Sequence, residues 1–141
     1  FIFGPSTALF ENCEIRSKTN SYVTAASTPE DIAVGYVFKN CKLTANPGVD
    51  KVYLGRPWRP YAATVFINCE MGKHIRPEGW HNWGKEENEK TARYAEYNST
   101  GEGAAAAGRV KWAKQLTKKE AAQYDDLNYI YRMCSDWKPE N

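Results

Sequence analysis

The sequence predicts an all-β chain wound as a right-handed parallel β-helix, and three observations carry that prediction. A short phrase recurs as Leu9-Phe10-Glu11-Asn12-Cys13-Glu14-Ile15, Val37-Phe38-Lys39-Asn40-Cys41-Lys42-Leu43 and Val65-Phe66-Ile67-Asn68-Cys69-Glu70-Met71. The interval is constant: Cys13 to Cys41 and Cys41 to Cys69 are both 28 residues, and a fixed period of about 20 to 50 residues marks a solenoid. Each copy alternates large apolar with polar positions, as a half-buried strand does, and lacks the 3.6-residue spacing of a helical repeat.

The remaining elements follow in chain order. Phe1-Ile2-Phe3-Gly4-Pro5 reads as the inside of a strand running into a turn, so further coils are expected before it. Without a capping unit there, the chain by itself is expected to fold poorly or aggregate. Ser27-Thr28-Pro29-Glu30-Asp31 and Ala45-Asn46-Pro47-Gly48 are turns between coils. The stretch from Trp80 to Glu89 is too polar for core and reads as a long excursion. Tyr94-Ala95-Glu96-Tyr97 is a fourth, degenerate strand, and Arg109-Val110-Lys111-Trp112 a short strand after a small-residue loop. Thr117 and Glu120 have capping-box spacing ahead of a short helix, which is marginal alone and should dock on the solenoid. Tyr129-Ile130-Tyr131 is strand-like, and Trp137-Lys138-Pro139 closes the chain. The whole is a single domain, with coils and loops over 1–112 and a C-terminal helix and tail over 113–141.

Stacking has chemical consequences. Coils lie about 4.8 Å apart, so Asn12, Asn40 and Asn68 form one column whose amides can bond along it at a bend. Cys13, Cys41 and Cys69 form an adjacent inward column. In-register side chains point in parallel and hold their Cβ atoms too far apart for a bridge, which favours buried thiols, with a disulfide as the minority alternative. Cys134 has no spacing partner, and no CxxC metal site exists. His74 and His81 stand in no ligand spacing and read as surface histidines. Asp31, Asp50, Asp125 and Asp126 read as solvated turn acids rather than nucleophiles.

With 141 residues, 42% hydrophobic content, a formal charge of +2 and a pI near 8.3, the chain tolerates an acidic polymer but is too weakly basic to argue for nucleic acid. No apolar run is long enough to span a bilayer, and no signal peptide is evident.

Several motifs in one order resemble the C-terminal half of the pectinesterase (pectin methylesterase) family. Phe1-Ile2-Phe3-Gly4 matches the end of that family's Asp-Phe-Ile-Phe-Gly signature, and Leu54-Gly55-Arg56-Pro57-Trp58 matches a second signature in full. Ile75-x-Pro77-x-Gly79-Trp80-x-x-Trp83, Tyr94-Ala95-Glu96-Tyr97-Asn98-Ser99-x-Gly101, Arg109-Val110-x-Trp112, Leu116-Thr117 and Trp137-x-Pro139 follow in the family's order. The family fold is also a right-handed parallel β-helix.

The resemblance implies hydrolysis of galacturonate methyl esters in pectin by a pair of Asp residues, without metal or cofactor. One attacks the ester carbonyl, the second protonates the leaving methanol and then activates water, and Gln side chains steady the oxyanion. It implies that Arg56 orients the nucleophile, that Trp58 and Trp80 line the sugar groove, and that Trp83 is as well explained by packing. The nucleophilic Asp would stand immediately before Phe1, and the acid/base Asp and the Gln residues further upstream. The chain alone is therefore expected to be inactive, with an N-terminal half of the same protein as its partner, in a secreted, periplasmic or cell-surface setting. The alternative is a non-catalytic β-helix module that binds polysaccharide. A lyase would want acidic calcium ligands and a glycosidase paired carboxylates, and neither pattern is present.

Overall fold

Three strands build each full coil. The first holds β1 (Ile2–Gly4), β2 (Ala8–Glu11) and β3 (Glu14–Ser17), and the second β4 (Tyr22–Ala26), β5 (Tyr36–Lys39) and β6 (Lys42–Ala45). The third holds β7 (Tyr53–Gly55), β8 (Ala63–Ile67) and β9 (Glu70–Met71). Successive coils pair in parallel into sheets of order β1-β4-β7, β3-β6-β9 and β2-β5-β8-β10-β11, with β10 at Arg93–Tyr97 and β11 at Lys114–Gln115. The computed structural model, which describes residues 1–132, is thus a parallel β-helix.

The 28-residue interval is the length of one coil. Phe10 pairs with Phe38 and Phe38 with Phe66, and their rings stack at 4.7 and 4.5 Å with 9° between planes. Phe38 and Phe66 are fully buried, whereas Phe10 and Cys13 are only half-buried, being covered from one side. Asn12, Asn40 and Asn68 turn the corner into the β3-β6-β9 sheet with φ of 55°, 55° and 53°. That left-handed region suits Asn, whose short polar side chain relieves the clash other residues meet there. Asn98 repeats the conformation at φ 50°, and its Nδ2 donates to Asn68 Oδ1 at 3.0 Å, a rung of the expected amide ladder.

Cys13, Cys41 and Cys69 are free thiols. Cys41 Sγ donates to Phe10 O at 3.3 Å and Cys69 Sγ to Phe38 O at 3.5 Å, each reaching back one coil. Burial raises the Cys41 thiol pKa and pushes that of Cys69 up to about 12, which disfavours the thiolate that disulfide chemistry needs. Cys134 and the Trp137–Pro139 stretch lie outside the described residues.

The fourth coil departs from the pattern. It joins the third through single bridges at Ile75, Trp80 and Thr100 and through β10, whose Glu96 pairs with Phe66 and so occupies the phenylalanine column. Trp80 is not part of a polar excursion. It is 1% exposed, stacked 4.3 Å from Tyr94 and 5.8 Å from Phe66, because its bridge to Gly55 turns the indole inward. The expected strand over Arg109–Trp112 is instead irregular chain. The strand is Lys114–Gln115, pairing with Ala95 and Glu96, because Arg109 first sends its side chain into the core.

The C-terminal segment docks on the outer face of the five-stranded sheet, where Leu9, Val37, Val65 and Ala95 lie side by side. Helix α1 (Asn88–Thr91) belongs to the fourth coil, and α2 (Lys118–Ala122) starts the docked segment. The capping box of α2 is formed, with Glu120 N donating to Thr117 Oγ1 at 3.2 Å and Thr117 N to Glu120 Oε1 at 3.0 Å. Tyr129 and Ile130 are helical rather than strand, within α3 (Leu127–Ile130), since Asp126 caps the turn by accepting from Asn128 N at 2.9 Å. Ile130 is buried against the sheet, and Lys39 Nζ binds Asp125 at 2.8 Å and Tyr124 O at 3.2 Å.

Candidate functional site

Strand β7 delivers Arg56. The ladder with β4 runs on past the strand's end, with Arg56 N donating to Thr24 O at 3.2 Å and Trp58 N to Ala26 O at 2.9 Å. Gly55 is required for this closeness, because a Cβ there would meet Thr24 Oγ1 at 2.3 Å. The Arg56 guanidinium carbon then lies 4.0 Å from the Tyr22 ring centroid and 3.8 Å from that of Trp83, one ring on each face. Contacts of this kind are worth about 0.5–2 kcal/mol each. Arg56 Nε is buried without a hydrogen-bond partner, and no ion pair to Arg56 occurs among the described residues. With both faces covered, only the edge of the fork is left, and its donors match a carboxylate bidentately.

The loop behind Arg56 is held under strain. Trp83 has φ 62°, a conformation that costs a bulky residue about 1–3 kcal/mol and persists only where its surroundings enforce it. Three contacts do so. His81 N donates to Gly55 O at 3.0 Å, anchoring the loop to β7. Trp83 N donates to His81 Nδ1 at 3.0 Å, and Gly84 N to Asn82 Oδ1 at 2.8 Å. Asn82 Nδ2 in turn donates to Glu89 Oε2 at 3.1 Å. His81 itself packs edge-on to Tyr22 and Tyr53, with ring centroids 5.9 and 5.2 Å away. Neither the clamp on Arg56 nor the part of His81 in it was legible from motif spacing. The i to i+2 geometry of an Asx-like turn was the available signal.

Beside Arg56 runs a shelf of exposed aromatics. Among the described residues the exposed large hydrophobics are Phe1, Phe3 and Trp58, at 66%, 58% and 39%. Trp58 lies 5.5 Å from Phe3, and Phe3 5.5 Å from Phe1, centroid to centroid. Flat apolar faces open to solvent suit the C–H face of a sugar ring.

Two sequence expectations fail here. Trp80, expected in the groove, is closed in the core and offers no face to a sugar; its Nε1 donates to Glu96 Oε2 at 3.3 Å. His74, read as a surface residue, is 3% exposed, and burial lowers its pKa below the ordinary 6.5. The four turn acids set aside as nucleophiles are all exposed. Among the described residues no three His, Cys, Asp or Glu side chains gather to hold a metal ion.

Glu96 forms the other notable ionic feature, away from the shelf. Arg109 spends its donors on five oxygens: Glu96 Oε2 at 2.8 Å, Glu96 Oε1 at 3.1 Å, Gly103 O at 2.7 Å, Pro77 O at 3.0 Å and Arg76 O at 3.3 Å. The Glu96 carboxylate and Arg109 side chain are 5% and 2% exposed, so this pair is a saturated core contact rather than chemistry awaiting a substrate.

Comparison with known proteins places the chain in a family. Pectinesterase 31 of Arabidopsis thaliana is 42% identical over 131 residues, which cover 92% of this chain and 41% of that protein. Pectin methylesterase from carrot superposes with a TM-score of 0.85 at 30% identity, over all of this chain and 50% of its own. A pectin methylesterase in complex with a hexasaccharide superposes at 0.75 and 30% identity, over all of this chain and 48% of its own. The chain thus spans about two fifths to a half of the length of these relatives. With the pectinesterase family matching residues 1–133, and the β-helix reached independently from the 28-residue repeat, the chain belongs to the pectinesterase family.

Proposed function

We propose that the full-length protein hydrolyses the methyl esters of galacturonate units in pectin, outside the cytoplasm, and that these residues supply Arg56 and the Trp58 wall of its groove. The observation that carries the reading is the guanidinium of Arg56, closed on both faces by Tyr22 and Trp83, with Nε free of any hydrogen-bond partner. Such a group is built to receive a carboxylate at its edge. Register supplies the position. Ile2 pairs with Thr24, so the residue before Phe1 lies opposite Tyr22, the ring beneath Arg56. An Asp there is held ionised and aimed by Arg56, attacks the ester carbonyl and releases methanol after protonation by a second carboxylic acid. That acid then activates the water that frees the acyl group. The described residues place no carboxylate at Arg56, so the 141-residue chain by itself is expected to release no methanol.

The Phe1-Phe3-Trp58 shelf begins at the residue next to this point and suits the sugar rings beside the scissile ester. The test is methanol release by the full-length protein on methylated pectin. Arg56→Lys keeps the charge and loses the fork, and turnover falls on the order of a hundredfold. Trp58→Ala falls more on apparent affinity. A folded Arg56→Lys protein with unchanged turnover refutes the assignment, and binding of pectin without methanol release by the parent protein points to the non-catalytic module.

A further inference from the structure

We propose that His81 is a positioning residue that makes the Arg56 site dependent on pH, an inference that rests on the function proposed above. His81 touches no reacting group. It acts through Trp83, whose backbone N–H it accepts at Nδ1 over 3.0 Å. That bond is the one of the three loop contacts made by Trp83 itself, at φ 62°, the conformation in which the indole closes the second face of the Arg56 guanidinium at 3.8 Å. An imidazole accepts at Nδ1 only while that nitrogen carries no proton; in the imidazolium both nitrogens are donors. Protonation would therefore set two N–H groups against each other at 3.0 Å and turn one of the three contacts that keep a bulky residue in the left-handed region into a repulsion. The clamp is complete while Nδ1 of His81 can accept, and is lost when the imidazole takes a proton.

The surroundings leave the ring open to this change. Tyr22 of β4 and Tyr53 of β7 meet it edge-on, Arg56 stands beyond Tyr22, and Arg76 lies over Tyr53 at 4.9 Å. Glu78 and Glu89 face it across a shallow cleft of about 360 Å³ that also admits solvent, and therefore protons. No carboxylate among the described residues bonds either ring nitrogen, so the Trp83 N–H is the contact that decides Nδ1.

The substitution that isolates the effect is His81→Asn. An Asn Oδ1 accepts the backbone N–H two residues on, as Asn82 already does for Gly84, and does not titrate. In the full-length protein, methanol release by the parent is expected to fall about tenfold on acidification beyond the loss shared with His81→Asn, the size of a lost cation–π contact. His81→Asn keeps the neutral-pH turnover into acid, and His81→Phe is low throughout. The Arg56 Nε–H proton resonance gives a reading independent of activity, since two flanking rings shift it upfield. It should move toward its unstacked position on acidification of the parent and stay fixed in His81→Asn. Parent and His81→Asn profiles that coincide, with a resonance that does not move, overturn the proposal. A protein that releases no methanol at any pH yet shows the resonance titrating in the parent alone keeps the His81 clamp and refutes the esterase reading instead.

Discussion

Replacing Glu96 by Gln in the full-length protein should cost far more stability than a surface charge change. Gln keeps the shape but leaves the Arg109 cation, 2% exposed, with no counter-charge. Four of its five hydrogen-bond acceptors are unaffected or nearly so, yet neutral carbonyls do not offset a buried charge. Breaking one side of a buried pair costs about 3–5 kcal/mol, against about 0–1 kcal/mol for an exposed pair. Arg109→Met should cost as much, since it strands the Glu96 carboxylate. Glu96→Phe with Arg109→Met together puts an aromatic where the register already stacks Phe10, Phe38 and Phe66, and should recover most of the loss. Unfolding free energies from denaturant titrations of the parent, Glu96→Phe, Arg109→Met and their double close a cycle and give the coupling, expected at about 2 kcal/mol or more in favour of the pair being changed together. Single variants that each cost less than about 1 kcal/mol, or strictly additive effects, would show that water reaches the pair and that the core argument is wrong.

Two further predictions concern other parts of the coil. Burial depresses the His74 pKa, so its stabilising effect is complete above the ordinary value of 6.5 and is lost as pH falls toward the folded value, where the unfolded chain takes up a proton the folded one refuses. The melting temperature of a His74→Gln variant should therefore fall less steeply between neutral and mildly acid pH than that of the parent, and equal slopes would contradict this. Asn40 holds φ 55°, so Asn40→Ala should lower the unfolding free energy by about 1–2 kcal/mol and Asn40→Gly by less, measured by the same denaturant titration.

The parts of the fold that the sequence disclosed were those governed by strict repetition. Equal spacing predicts a shared column, and Phe10, Phe38 and Phe66 stack while Cys13, Cys41 and Cys69 line up as thiols. The fourth coil was harder to read because Asn98 follows Asn68 by 30 residues and a glutamate stands where the phenylalanine should be. Trp80 was misjudged from polar neighbours, and His74 from its lack of ligand spacing, which says nothing of burial. Their backbone positions turn them inward while those neighbours face out, and a window average cannot tell the two apart. At the site, Arg56 and Trp58 were visible as a motif, but the rings that grip Arg56 come from Tyr22 and Trp83, 34 residues before it and 27 after it in the chain. Contacts across coils carry no local signature.

A column of identical flat rings at 4.5 Å is also a template, since any strand presenting another ring in register could continue it, whether from the same molecule or a second one. The glutamate in the next rung ends that possibility. Its carboxylate is already saturated by Arg109 and Trp80, and the last strand of the long sheet, β11, is two residues long, exposed, and carries Lys114 ion-paired to Glu120. Among the described residues, growth of the stack beyond β11 is therefore opposed both along the core and at the sheet edge, which gives the solenoid a direction: one end invites another ring and the other refuses it.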